Sequence, residues 1–88
     1  MNIRLQLKEK DVVLVLEDNG SAILEKKWID NNDLLENFFP TLDEMLRAYS
    51  LSVEDIDDFL LDLDIPKGYT TARIARTIIK TLNFARQT

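Results

Sequence analysis

The chain has 88 residues, of which 45% are hydrophobic and 31% charged, a composition typical of one small globular domain. It contains neither cysteine nor histidine, which excludes disulfides, thiolate nucleophiles, imidazole bases and the usual zinc and copper sites. The net charge is −5, yet residues 67–88 carry five basic and no acidic side chains, so we expect a basic surface on an acidic molecule.

The first ten residues carry alternating charged side chains and no apolar core. This is not the pattern of a signal peptide, and no apolar run approaches the roughly 18 residues that a membrane-spanning helix needs. We therefore expect a cytoplasmic protein.

Three strands are predicted before residue 30. In "NIRLQLKE", Ile3, Leu5 and Leu7 alternate with polar residues, which is typical of a strand buried on one side. "DVVLVLED" is a continuous apolar run followed by Asn19-Gly20, a strong hairpin signal. "SAILEKKWI" is the third predicted strand, and its two lysines suit an exposed edge. Trp28 near its end is interpreted as a cover of the core and not as a platform for a ligand.

A helix is predicted over residues 33–49, because the apolar spacing changes there to three and four residues. Pro40 interrupts this helix and is expected to bend it. The main apolar stripe comprises Leu35, Phe38, Leu42, Met45 or Leu46, and Tyr49. Leu34 and Phe39 are expected beside that stripe, where they widen the apolar surface.

A fourth strand and a second helix complete the pattern. In "DDFLLDLDI", Phe59, Leu61 and Leu63 alternate with Leu60 and two aspartates. The final helix is predicted from about Thr70 to Ala85. Its stripe consists of Ile74, Ile78, Leu82 and Ala85, broadened by Ala75 and Ile79, with Arg73, Arg76 and Lys80 on the more polar side.

The order of these elements, β-β-β-α-β-α, predicts an α/β fold. Because a strand-helix-strand crossover is normally right-handed and parallel, the fourth strand should lie beside the first, giving a mixed sheet of order 3-2-1-4. The first and fourth strands each carry one apolar and one polar face, so both helices are expected to cover the same side of the sheet.

The segment "FFPTLDEMLRAYSLSVEDIDDFLLDLDIPKGYTTARIARTIIKTLN" resembles bacterial TsaB (YeaZ, glycoprotease-family) proteins, the non-catalytic partners in tRNA threonylcarbamoyladenosine synthesis. The register holds without a gap at Pro40, Leu42, Asp43, Glu44, Leu46, Leu51, Ser52, Asp57, Pro66, Thr70, Arg73, Ile74 and Lys80. The resemblance implies that residues 1–88 form one TsaB-like N-terminal subdomain, equivalent to half of an actin-like (ribonuclease-H-like) ATPase lobe. Such proteins continue into a second lobe, which lies outside the region of the resemblance.

The chain departs from the TsaB pattern where related ATPases bind phosphate. Lys67 and Gly68 replace glycine and serine in the turn, and Thr71 and Ala75 replace further glycines. Leu7 stands where related ATPases have an aspartate that helps to place the metal and phosphates. We therefore expect no ATP binding, no cofactor and no enzymatic activity. Gly68 is interpreted as a turn residue needed for its backbone angles.

Two acidic groups are candidate metal sites. Asp62 and Asp64 share one face of a strand, at a separation that suits a shared metal or proton, but a solvated sheet face is the favoured interpretation. Glu54, Asp55, Asp57 and Asp58 lack the glycine and the spacing of a calcium-binding loop, so a capped, solvated loop is expected there.

The resemblance implies a protein-interaction module that pairs through its two helices, either with itself or with a TsaD-like ATPase. The predicted interface comprises Leu34, Leu35, Phe38, Phe39, Leu42, Arg73, Ile74, Arg76, Ile78, Ile79 and Lys80. Among these, Phe39 and Ile79 are expected to point outward.

The alternative is a small protein that binds nucleotides or nucleic acid through the basic last helix, with Arg73, Arg76, Lys80 and Arg86 as a basic stripe. The net charge of −5 and an expected absence of interleaved aromatics on that helix make nucleic acid the less favoured partner.

Overall fold

The computed structural model describes residues 1–66 and 68–87, and side chains as far as residue 85. The elements are β1 (Asn2–Lys8), β2 (Asp11–Asp18), β3 (Ser21–Ile29), α1 (Leu34–Ala48), a short 3-10 helix (Val53–Asp55), β4 (Asp58–Asp64) and α2 (Thr70–Gln87). Every predicted strand and helix is confirmed, whereas the 3-10 helix was not predicted. No helix within the described residues is long and apolar enough to cross a membrane.

The strands form one mixed sheet of order β3-β2-β1-β4, as predicted. β1 pairs antiparallel with β2 and parallel with β4, and β2 pairs antiparallel with β3. Because β3 and β4 point the same way, the helix α1 that links them returns in the opposite direction. α2 follows β4 and also returns, so the two helices are parallel to each other.

The hairpin between β2 and β3 turns through Asn19 and Gly20, whose φ angles are 53° and 81°. Both angles are left-handed, which is what a two-residue hairpin turn of this kind requires, so the predicted turn is confirmed.

The core lies between one face of the sheet and the two helices. Ile3, Leu5 and Leu7 of β1 are at most 1% exposed, and they belong to one apolar cluster with residues of β2, β4, α1 and α2. Both helices therefore cover the same face of the sheet, as predicted. Trp28 is half-buried and packs against this cluster, which confirms its interpretation as a core cover.

The apolar stripe of α1 differs from the predicted one. Leu34 is 3% exposed and belongs to the core, whereas Leu35 is 52% exposed. Tyr49 lies just past the last residue of α1, is largely exposed and donates its hydroxyl to the Ile23 carbonyl at 3.1 Å. The helix continues through Pro40 as one element. Leu34 precedes Phe38 and Leu42 by four and eight residues, and this spacing fixes the buried face.

The stripe of α2 is also displaced from its predicted position. Its buried residues are Ala72, Ala75, Ile78, Ile79 and Leu82. Ile74 is half-buried and Ala85 is exposed.

The other face of the sheet is covered by its own polar side chains. Arg4 of β1 lies between Glu17 of β2 and Asp62 of β4, with Nε 3.0 Å from Glu17 and Nη1 3.1 Å from Asp62. Hydrogen bonding to Glu17, and then to Asp62, raises the pKa of the Arg4 guanidinium. Val15 on this face is only 4% exposed, so the charged layer shields apolar surface from water.

Candidate protein-interaction surface

The structure divides the predicted interface residues into two groups. Five of them lie in the chain's own core, namely Leu34, Phe38, Leu42, Ile78 and Ile79. Their side chains hold the helices on the sheet and are not available to a partner. The expectation that Ile79 points outward is wrong, because this side chain is 7% exposed.

Leu35 and Phe39 lie on the flank of α1 that faces α2. The opposite flank is marked by Glu44, whose carboxylate accepts a hydrogen bond from Lys26 on the edge strand β3 at 2.9 Å. Leu35 and Phe39 are four residues apart, so they share a face of the helix. Phe39 is 44% exposed, and its ring meets the buried ring of Phe38 edge to face at 5.2 Å.

Ile74 lies on the flank of α2 that faces α1. The same flank carries Thr71, whose hydroxyl donates to Asp30 just before α1 at 3.0 Å. Phe84, ten residues after Ile74, lies about 80° away from it around the helix. It is on the outward face of α2 and is 71% exposed. We call Leu35, Phe39, Ile74 and Phe84 the helix patch.

Phe84 was not identified from the sequence, and the expectation that this helix carries no interleaved aromatic is wrong, because Phe84 is an exposed residue of α2. It lies opposite the buried stripe of α2, and stripe analysis assigns such a residue to the solvent side. The available signal was a single aromatic residue on an otherwise polar helix face.

Basic side chains border the helix patch on α2. Arg73 and Lys80 are exposed, and Arg76 is half-buried. Arg86 lies outside the described side chains, so the predicted stripe of four basic residues is described only for the other three.

Acidic side chains border the patch on α1. Asp43 pairs with Arg47 at 3.0 Å within the same helix, and Glu44 is held by Lys26. Glu36 is exposed and makes no ion pair within the described residues. It is therefore the acidic side chain of α1 most available to a partner.

The turn before α2 does not have the backbone that was predicted for it. Gly68 lies outside the left-handed region, and a Cβ atom added there would meet nothing within 4 Å. The interpretation of Gly68 as a residue needed for its backbone angles is therefore wrong. Lys67, the other predicted feature of this turn, lies outside the described residues.

The surroundings of this turn are unfavourable for a phosphate. Leu7, which the sequence resemblance aligns with an aspartate of related ATPases, is 1% exposed and packs in the core. Asp30 lies beside the first turn of α2, is 8% exposed and accepts hydrogen bonds from Thr71 and the Asp33 amide. A buried carboxylate at the start of a helix opposes an incoming anion.

The two acidic candidate sites are occupied by interactions within the chain. Asp62 binds Arg4 through both carboxylate oxygens at 3.1 Å. Asp55 accepts hydrogen bonds from the backbone and hydroxyl of Ser52 at 2.8 and 3.2 Å, which caps the 3-10 helix. Within the described residues, no group of three or more acidic side chains is arranged to hold a metal ion.

The sequence matches no protein-family model and no curated protein. The solved structures that are similar to the chain include "YeaZ from Pseudomonas aeruginosa" and an uncharacterized Pseudomonas aeruginosa protein described as similar to peptidase YEAZ. Each superposes with a TM-score of 0.82 at 20% identity, over 98% of this chain and 39% of the solved one. The chain therefore has the α/β fold of YeaZ, over about two-fifths of the length of that protein.

Proposed function

We propose that the chain is a non-catalytic protein-interaction module that pairs through the outer surface of α1 and α2. The partner is a second copy or a TsaD-like ATPase, and in the second case the module serves the tRNA threonylcarbamoyladenosine modification machinery. The observation that carries the proposal is the helix patch, because large apolar side chains exposed together on a small domain usually mark an interface. The YeaZ-like fold and the resemblance of the sequence to TsaB proteins support it.

A second copy suits this surface because its acidic and basic side chains lie on different helices. Glu36 of α1 is acidic, whereas Arg73 and Lys80 of α2 are basic and exposed. A two-fold axis between the helix layers of two copies places α1 of each beside α2 of the other. Such charges at the rim set orientation more than affinity.

Sedimentation equilibrium tests the self-pairing. We expect the unmodified chain to approach the mass of a dimer as its concentration rises through roughly tens of micromolar, a range typical of modest interfaces. Leu35→Asp and Phe39→Asp should each remain monomeric and folded. Ile29→Asp is the matched control, since Ile29 is 55% exposed but lies on β3, away from the helix layer.

A strictly monomeric mass at every concentration would exclude self-pairing and leave the TsaD-like partner. The test is then co-purification with a TsaD-like ATPase, which Leu35→Asp should abolish and Ile29→Asp should preserve. Absence of both associations would overturn the proposal. If nucleic acid is retained instead, a steep loss of binding with added salt would identify phosphate contacts by the basic helix, because an apolar helix interface does not weaken in that way.

A further inference from the structure

Asn83 of α2 binds the backbone of the edge strand β4 through both polar groups of its amide. Its Oδ1 accepts the Phe59 N–H at 3.1 Å, and its Nδ2 donates to the Phe59 carbonyl at 2.9 Å. In a parallel sheet, a neighbouring strand bonds both the N–H and the C=O of alternate residues. The Asn83 side chain therefore reproduces at Phe59 the two bonds that another strand would make.

The rest of the outer edge of β4 carries backbone groups of the same orientation as those of Phe59. β4 is the outermost strand on its side of the sheet within the described residues. Alternate residues of a strand direct their backbone groups to the same side, so the N–H and C=O of Leu61 and Leu63 point outward as those of Phe59 do. An exposed row of such groups is a template for a strand of another chain.

We propose that Asn83 is a specificity-determining residue for association, which keeps another chain from pairing with β4. A strand that adds to β4 must displace the Asn83 amide from Phe59 before it can align along the whole edge. Without that amide, the Phe59 N–H and C=O lose the hydrogen bonds that Asn83 makes to them. An incoming strand would supply those two bonds. The inference stands whether or not the helix patch binds a partner.

Substitution of Asn83 in the full chain tests the proposal. Asn83→Leu removes both hydrogen bonds, and Asn83→Asp keeps an acceptor for the Phe59 N–H but cannot donate to its carbonyl. Asn31→Leu is the matched control, because Asn31 is an exposed asparagine in the loop before α1 and undergoes the same substitution away from β4. The measurements are amide hydrogen exchange and sedimentation velocity, in salt high enough to screen the acidic side chains of β4.

We expect the Phe59 amide of Asn83→Leu to exchange faster, by on the order of tenfold for two lost hydrogen bonds. We also expect concentration-dependent assembly in which the Leu61 and Leu63 amides gain protection. Asn31→Leu should behave like the unmodified chain. The proposal is overturned if Asn83→Leu keeps the unmodified mass at every concentration, or if it assembles without new protection at Leu61 and Leu63. If Asn83→Leu does not fold, the same two outcomes apply to Asn83→Asp.

Discussion

Gly20 and Gly68 both occupy turns, but their backbones differ. Gly20 has a φ of 81°, whereas Gly68 lies outside the left-handed region. An added Cβ atom meets nothing within 4 Å at either position. A difference in stability between the two alanine variants therefore reflects the backbone conformation and not a steric clash.

Gly68→Ala is expected to stabilise the chain by about 0.4–1 kcal/mol, because alanine restricts the unfolded state and fits the native backbone. Gly20→Ala is expected to destabilise it by about 1–2 kcal/mol, since alanine resists a left-handed φ. Urea denaturation of the two variants beside the unmodified chain measures both effects. A loss of stability in Gly68→Ala as large as in Gly20→Ala would show that the turn before α2 depends on glycine.

Leu34 and Leu35 are neighbours on α1, but Leu34 is buried in the core and Leu35 is exposed. Leu34→Ala should lower the free energy of unfolding by about 2–5 kcal/mol, because it opens a cavity in the core. Leu35→Ala should change it by no more than about 0.5 kcal/mol, as expected of a surface substitution. The measurement is chemical denaturation at a concentration where the unmodified chain is monomeric. Equal losses in the two variants would contradict the helix orientation described above.

Element types and strand order were predictable from the sequence, but helix orientation was not. Successive side chains of a strand point to opposite faces of the sheet, so an alternating pattern such as Ile3, Leu5 and Leu7 identifies the buried face without ambiguity. A helix places neighbouring residues only about 100° apart. Leu34 and Leu35 therefore both fit an apolar stripe. Only the packing of α1 against the sheet and beside α2 determines that Leu34 is buried and Leu35 is exposed. For the same reason Ile79 was predicted to point outward, although it is buried, and part of the predicted interface was therefore wrong.

At the scale of the whole molecule, the chain has the fold of YeaZ over about two-fifths of the length of that protein. We expect no measurable binding of ATP in the presence of magnesium by titration calorimetry. The physical reason is that Leu7, the residue that the sequence resemblance aligns with a metal-placing aspartate, is apolar and packs in the core. In addition, the Asp30 carboxylate lies beside the first turn of α2 and opposes an anion there. Stoichiometric, magnesium-dependent binding at micromolar affinity would contradict this expectation.

The parallel pairing of β1 with β4 has a consequence for the order of folding. Asn2 and Asp58 are partners, although 56 residues separate them in the chain. The hairpins β1–β2 and β2–β3 need only local contacts, whereas the outer side of β1 cannot be paired until α1 and β4 are available. Formation of such a long-range parallel pair is slow because the intervening chain must first be ordered. During synthesis the three-stranded meander therefore emerges with the outer side of β1 unpaired, and β1 becomes an interior strand only when β4 (Asp58–Asp64) arrives.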